Sequence, residues 1–144
     1  MALKDWKDLP DTSTPITATN LENDGSYLKE LINGTVLFSD DNGIVGDDIP
    51  LRDSKNNYDY VKITYSINKG HYMTIEVPTI ANYISLFFPT NTSSPAISIR
   101  NARYTFENNK LTFTYYSSIV YNGANLSQTT NAILVHKVIG YKNS

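Results

Sequence analysis

Two stretches decide the fold class: Tyr60-Val61-Lys62-Ile63-Thr64-Tyr65-Ser66-Ile67 and His71-Tyr72-Met73-Thr74-Ile75-Glu76-Val77, with Asn68-Lys69-Gly70 between them. In the first, Val61, Ile63, Tyr65 and Ile67 alternate with Tyr60, Lys62, Thr64 and Ser66. A period of two puts one set on a buried sheet face and the other toward water. In the second, Met73, Ile75 and Val77 point one way. Asn and Gly are turn residues, so the two runs read as an antiparallel hairpin.

The same period extends outward in both directions. Upstream, Thr35 to Ser39 is a short strand, and Asp41-Asn42-Gly43 is a strong turn signal. Downstream, Tyr83 to Phe88 is a strand and Asn91-Thr92-Ser93-Ser94-Pro95 a loop. Ile97 and Ile99 then define an apolar face that moves to Ala102, Tyr104 and Phe106. This parity change between Arg100 and Asn101 predicts a bulge, or two strands in sequence. Asn108-Asn109-Lys110 turns the chain into Leu111, Phe113 and Tyr115, with Ser117 to Tyr121 continuing the strand and Asn122-Gly123-Ala124-Asn125 closing it. The last strand, Ala132 to Tyr141, is apolar on both faces: Ile133, Val135 and Ile139 on one, Leu134 and Val138 on the other. A two-sided strand is usually central. Seven or eight strands with turns between them predict an all-β fold, an antiparallel β-sandwich or jelly-roll-like domain, over residues 35–144.

Residues 1–34 follow another pattern. Pro10 and Pro15 impose an extended or turn path. Thr19 with Glu22 forms a possible capping box, and Ser26 to Gly34 reads as a short helix with a cap at each end. Leu28, Leu31 and Ile32 share one face of it, and Leu21 lies seven residues before Leu28. Two positions seven apart are too few to claim a coiled-coil seam, and these four are the candidate oligomerisation residues of a short extended and helical segment.

At 144 residues the chain fits one ordinary domain, and its 12 basic and 14 acidic residues leave a net charge of −2. That balance provides no basic field for nucleic acid or anionic lipid. No run of 18 apolar residues is present to span a membrane, and the first residues lack the apolar run of a signal peptide. The expectation is a protein made in a reducing cytoplasm. With no cysteine there is no thiol chemistry and no disulfide.

Catalytic signals are sparse. His71 and His136 sit outside any metal-binding spacing, and no G-x-S-x-G elbow occurs. Glu76, on a polar strand face, lacks the second carboxylate that glycoside hydrolysis needs. Asp40, Asp41, Asp47 and Asp48 form the densest acidic cluster, as a calcium loop would, without the full EF-hand pattern. Three Asn-x-Ser/Thr sequons read as incidental. The expectation is a protein that is not an enzyme and uses no metal or cofactor. The surplus is aromatic: eleven Tyr, five Phe and one Trp. Tyr58, Tyr60, Tyr72, Tyr116 and Tyr121 fall on polar faces or in loops, where a ring stacks on a sugar or fills a subunit interface.

The N-terminal string Trp6-Lys7-Asp8-Leu9-Pro10-Asp11-Thr12-Ser13-Thr14-Pro15-Ile16-Thr17-Ala18-Thr19-Asn20-Leu21 resembles a segment near the start of structural proteins of tailed bacteriophages. Gly34 to Phe38, Ile49-Pro50-Leu51-Arg52-Asp53-Ser54, Asn57 to Tyr65 and the closing Val135 to Lys142 are similar to a pattern in the distal domains of phage tail and head fibres. The resemblance covers about half the chain. It implies a virion structural protein of the tail, baseplate or capsid surface, homotrimeric, joined to other virion proteins through residues 1–34. It also implies a β-domain that adheres to a host cell-wall polysaccharide. The alternative is a purely structural decoration or assembly protein with no ligand. No shaft or collagen-like repeat separates the two parts, which fits a compact component better than a fibre.

Overall fold

In the computed structural model, the described backbone comprises residues 34–143 except 69, 94, 95, 123, 124, 130 and 131; the described side chains also exclude 91–93, 96, 122 and 125–129. The extended and helical segment, with Leu21, Leu28, Leu31 and Ile32, lies outside the described residues.

Among the described residues the nine strands are β1 (Thr35–Ile44), β2 (Ile49–Pro50), β3 (Tyr60–Ser66), β4 (Tyr72–Pro78), β5 (Tyr83–Ser93), β6 (Ala96–Phe106), β7 (Lys110–Asn122), β8 (Asn125–Thr129) and β9 (Leu134–Tyr141). The predicted hairpin is β3 with β4, antiparallel from Tyr60 opposite Pro78 to Ser66 opposite Tyr72. Val61, Ile63 and Tyr65 are buried, as their alternation requires. On β4 only Val77 is fully inside, because this strand is the edge of its sheet. β9 lies on the other side of β3, and β1 beyond it, giving the order β1-β9-β3-β4. The two-sided strand is therefore central. A register shift opposite Thr64 and Tyr65 leaves His136 as an extra residue. The inward set passes from Ile133 and Val135 to Val138 across it, which explains apolar residues on both parities.

The second sheet runs β2-β7-β6-β5, with β8 also paired to β7. Every strand pair is antiparallel. The core between the sheets includes Leu37, Val61, Ile63, Tyr65 and Val138 from the first, with Ile49, Ile84, Leu86, Tyr104 and Leu111 from the second. Burying an aliphatic or aromatic side chain of this size contributes about 1.5–3 kcal/mol. The result is an all-β, sandwich-like domain; among the described residues the only helical element is a 3-10 turn at Lys55–Asn57.

Three local readings are corrected. Asp41-Asn42-Gly43 does not end β1: the strand continues to Ile44 through an irregularity in its pairing with β9. The Asp40 carboxylate accepts from the N–H groups of Asn42 and Gly43, and Gly43 takes φ 78°, so turn chemistry here makes a bulge. β6 has no bulge at Arg100–Asn101, since its register with β5 is unbroken from Thr105 to Ile97. The irregularity is on β7, where Thr114 is the extra residue opposite Arg103 and Tyr104. The described strands number nine where seven or eight are expected, and β2 and β8 are the two that the apolar pattern does not show. Both are short, and β2 ends in Pro50, tolerated on an edge because it donates to no ladder.

Candidate functional site

The unbroken register of β6 with β5 decides which of its side chains reach the surface. Even positions face inward along the whole strand: Ser98, Ala102, Tyr104 and Phe106 are buried. Ile97 and Ile99 are consequently on the outer face of the sheet, 49% and 46% exposed. Ile97 pairs with Tyr121 and Ile99 with Ile119, which are 48% and 50% exposed. On the other side, Pro89 lies opposite Ile99, and Phe87, 52% exposed, lies opposite Asn101. Tyr115 follows opposite Arg103. Cross-strand neighbours are about 5 Å apart, so Phe87, Pro89, Ile97, Ile99, Ile119 and Tyr121 form one apolar surface across three strands, with Tyr115 beyond the polar pair Asn101 and Ser117. Arg103 also lies on this face, its guanidinium carbon 4.6 Å from the centre of the Tyr83 ring, and Lys110 lies at its far end, at the start of β7.

The inner side of the same end is polar. The hydroxyls of Ser98 and Ser118 are 3.2 Å apart and buried. Arg100 lines a cleft of about 400 Å³ with Ile67, Asn68, His71, Phe88, Pro89 and Thr90. Its Nη1 donates to the Ala132 carbonyl at 3.4 Å, a long bond. Its Nε is buried with no hydrogen-bond partner among the described residues. The ion pairs found among the described residues are those of Lys110 with Asp48 and Glu107, so no described carboxylate neutralises Arg100. Nδ1 of His71 lies 2.7 Å from Oδ1 of Asn68, an acceptor, so Nδ1 carries the proton of that bond.

The five singled-out tyrosines are not brought together. Tyr58 is in the core: its ring packs where a Cβ on Gly140 would be, 2.6 Å away, and its hydroxyl donates to Asp53 Oδ2 at 2.9 Å. It is thereby removed from ligand contact. Tyr60 is stacked on Tyr141, ring centres 5.1 Å apart and nearly parallel, on the outer face of the first sheet. Tyr72, 52% exposed, meets the His136 ring edge-on at the other end of that face. Tyr116 is half-buried against Phe113. Tyr121 alone belongs to the apolar surface described above.

Other candidate chemistry resolves into structural work. Ser66 Oγ and His136 Nε2 are 2.7 Å apart, the spacing of a nucleophile and its base, and His136 Nδ1 is 3.3 Å from the Asp40 carbonyl. Ser66 has no accessible surface, however, so no substrate carbonyl can reach its hydroxyl. The acidic residues are dispersed in use: Asp40 caps the β1 bulge, and Asp48 accepts from the Phe113 N–H at 2.9 Å while pairing with Lys110. Among the described residues no three His, Asp or Glu side chains converge as a metal site.

The Asp53-Ser54…Asn57-Tyr58 string is a small knot. Tyr58 Oη, the Ser54 N–H and the Asn57 amide all donate to the Asp53 carboxylate, and these bonds, Tyr58's foremost, hold its pKa below the ordinary aspartate value. Ser54 caps the 3-10 turn. That turn drives Lys55 under the end of the sandwich, where Nζ donates to the carbonyls of Ala81 and Phe106 at 2.8 and 2.7 Å. Burial lowers the Lys55 pKa. No periodicity points to a buried lysine here; the turn residues around it were the available signal.

Comparison of the chain with known protein families, with curated proteins and with solved structures finds no match.

Proposed function

We propose that this chain is a structural assembly protein whose β-domain packs against further copies of itself through the outer face of the β5-β6-β7 sheet. The observation that carries this reading is the apolar surface of Phe87, Ile97, Ile99, Ile119 and Tyr121, with Tyr115 beyond Asn101 and Ser117 on the same face. Six such side chains, each about half exposed, offer on the order of 500 Å² of apolar area, at the upper end for a monomer. A standard interface takes about 800 Å² from each partner, and the flanking polar groups supply the remainder. A second copy is the occupant that fits. Charged residues are depleted at the centre of this surface, as in interfaces between identical chains, which are more apolar than those of transient partners.

The similarity of Trp6 to Leu21 to phage structural proteins supports a virion as the setting, with residues 1–34 joining other virion proteins. Adhesion to a host polysaccharide through Tyr58, Tyr60, Tyr72, Tyr116 and Tyr121 has less behind it, because those residues are dispersed.

Sedimentation equilibrium of the full chain tests the proposal. The native protein is expected to associate, and Ile99→Lys combined with Ile119→Lys to be monomeric with an unchanged circular dichroism spectrum. A native chain that stays monomeric at high concentration overturns it, as does a double variant that associates equally well.

A further inference from the structure

We infer that the cleft at Arg100 is a binding site for a small hydroxylated ligand carrying an anionic group, a carboxylate or a phosphate, such as an acidic sugar. The site is on the opposite side of β6 from the proposed interface and does not depend on it. The charge comes first. Arg100 has five N–H donors, and one long bond to the Ala132 carbonyl is the single contact found for them among the described residues. A partly buried guanidinium without a carboxylate is an expensive group to keep unless something else pairs with it. Carboxylates and phosphates match its planar fork.

The remaining wall fixes the rest of the ligand. Asn68, His71 and Thr90 provide hydrogen-bonding groups, and the Thr90 hydroxyl, which donates toward Ser98 O at 3.5 Å, keeps lone pairs for a ligand hydroxyl. Phe88 and Pro89 add apolar faces for C–H groups. A volume near 400 Å³ is at the small end for ligand clefts, which run about 300–1,000 Å³, so a single sugar-sized unit is the scale. The ends of the cleft come from the β3–β4 turn and the β5 strand, so both sheets hold it.

Amide NMR of the full chain, titrated separately with glucuronate, glucose 6-phosphate and glucose, tests this. At least one of the two anions is expected to shift Asn68, His71, Thr90 and Arg100 saturably, with glucose about tenfold weaker or worse. The tighter anion identifies the group as carboxylate or phosphate. Arg100→Gln is expected to lose about tenfold in that affinity, and Arg100→Lys, which keeps the charge without the fork, to fall between. Arg100→Met is expected to melt at or above the native temperature, because it relieves an unpaired buried group. No saturable shift by either anion up to about 50 mM, weaker than any useful affinity, overturns the inference. So does glucose binding as tightly as the anions, unchanged binding by Arg100→Gln, or a large fall in melting temperature for Arg100→Met, which would make Arg100 a structural post.

Discussion

Tyr104 is fully buried in the second sheet, edge-on to Phe113 at 5.6 Å, and its hydroxyl has no hydrogen-bond partner among the described residues. Tyr104→Phe removes one oxygen and leaves the ring in place. An unsatisfied buried polar group costs about 1–3 kcal/mol, so the variant is expected to gain about 1–2 kcal/mol. The gain grows with pH. Burial, reinforced by the charge of Asp47, raises the Tyr104 pKa to about 12 from the ordinary 10.0. Between those two values the folded chain retains a proton that the unfolded chain has released. The native protein is thus unaffected below about pH 10 and loses stability as pH rises toward 12, on the order of 2–3 kcal/mol across the window. The phenylalanine variant escapes this loss. Urea unfolding of both proteins at pH 8 and pH 11 measures the difference, with the other tyrosines cancelling between them. A variant less stable than native at pH 8 would mean that the hydroxyl is satisfied within the core. An advantage that does not widen by pH 11 would refute the burial argument for its pKa.

Lys55→Ala leaves the carbonyls of Ala81 and Phe106 without their donor and should cost about 2–4 kcal/mol in denaturant unfolding. Because burial lowers the Lys55 pKa, the unfolded chain binds more protons just below pH 10.5, so this group's contribution rises with pH there; Lys55→Met, probed across the same range, should lack that rise. Gly140→Ala places a methyl 2.6 Å from the Tyr58 ring and should cost about 1–3 kcal/mol, with strong coupling to Tyr58→Leu in a double-mutant cycle.

The hairpin and the central strand were legible because period two is a direct consequence of the pleat: Val61, Ile63 and Tyr65 go inside together or not at all. The β1 bulge was not. Asn-Gly favours a positive φ, which a hairpin turn and a bulge both use, and the choice is made by β9, whose Val135 pairs with Ile44 from 91 positions away in the chain. β8, Asn-Leu-Ser-Gln-Thr, has no apolar alternation and is a strand only because β7 offers it an edge. Tyr58 could be assigned to a polar position from its neighbours, but not to the space that Gly140 leaves for its ring.

β6 is the instructive failure. A change of apolar parity along one strand has two physical causes. An extra residue can rotate the strand, or the two surfaces can exchange polarity while the strand stays straight. A bulge on β6 would break its register with β5, yet Phe88 pairs with Arg100 and Phe87 with Asn101 in unbroken sequence. The exchange is therefore real: Ile97 and Ile99 are outside while Ser98 and Arg100 are inside. An isolated domain gains nothing from that arrangement, since it exposes large aliphatic groups and leaves an arginine poorly paired. Both costs fall on alternate residues of the same four-residue stretch, on opposite faces. Each is removed by a different occupant, a second copy outside and an anion inside, and the variants at Ile99 and Arg100 separate the two.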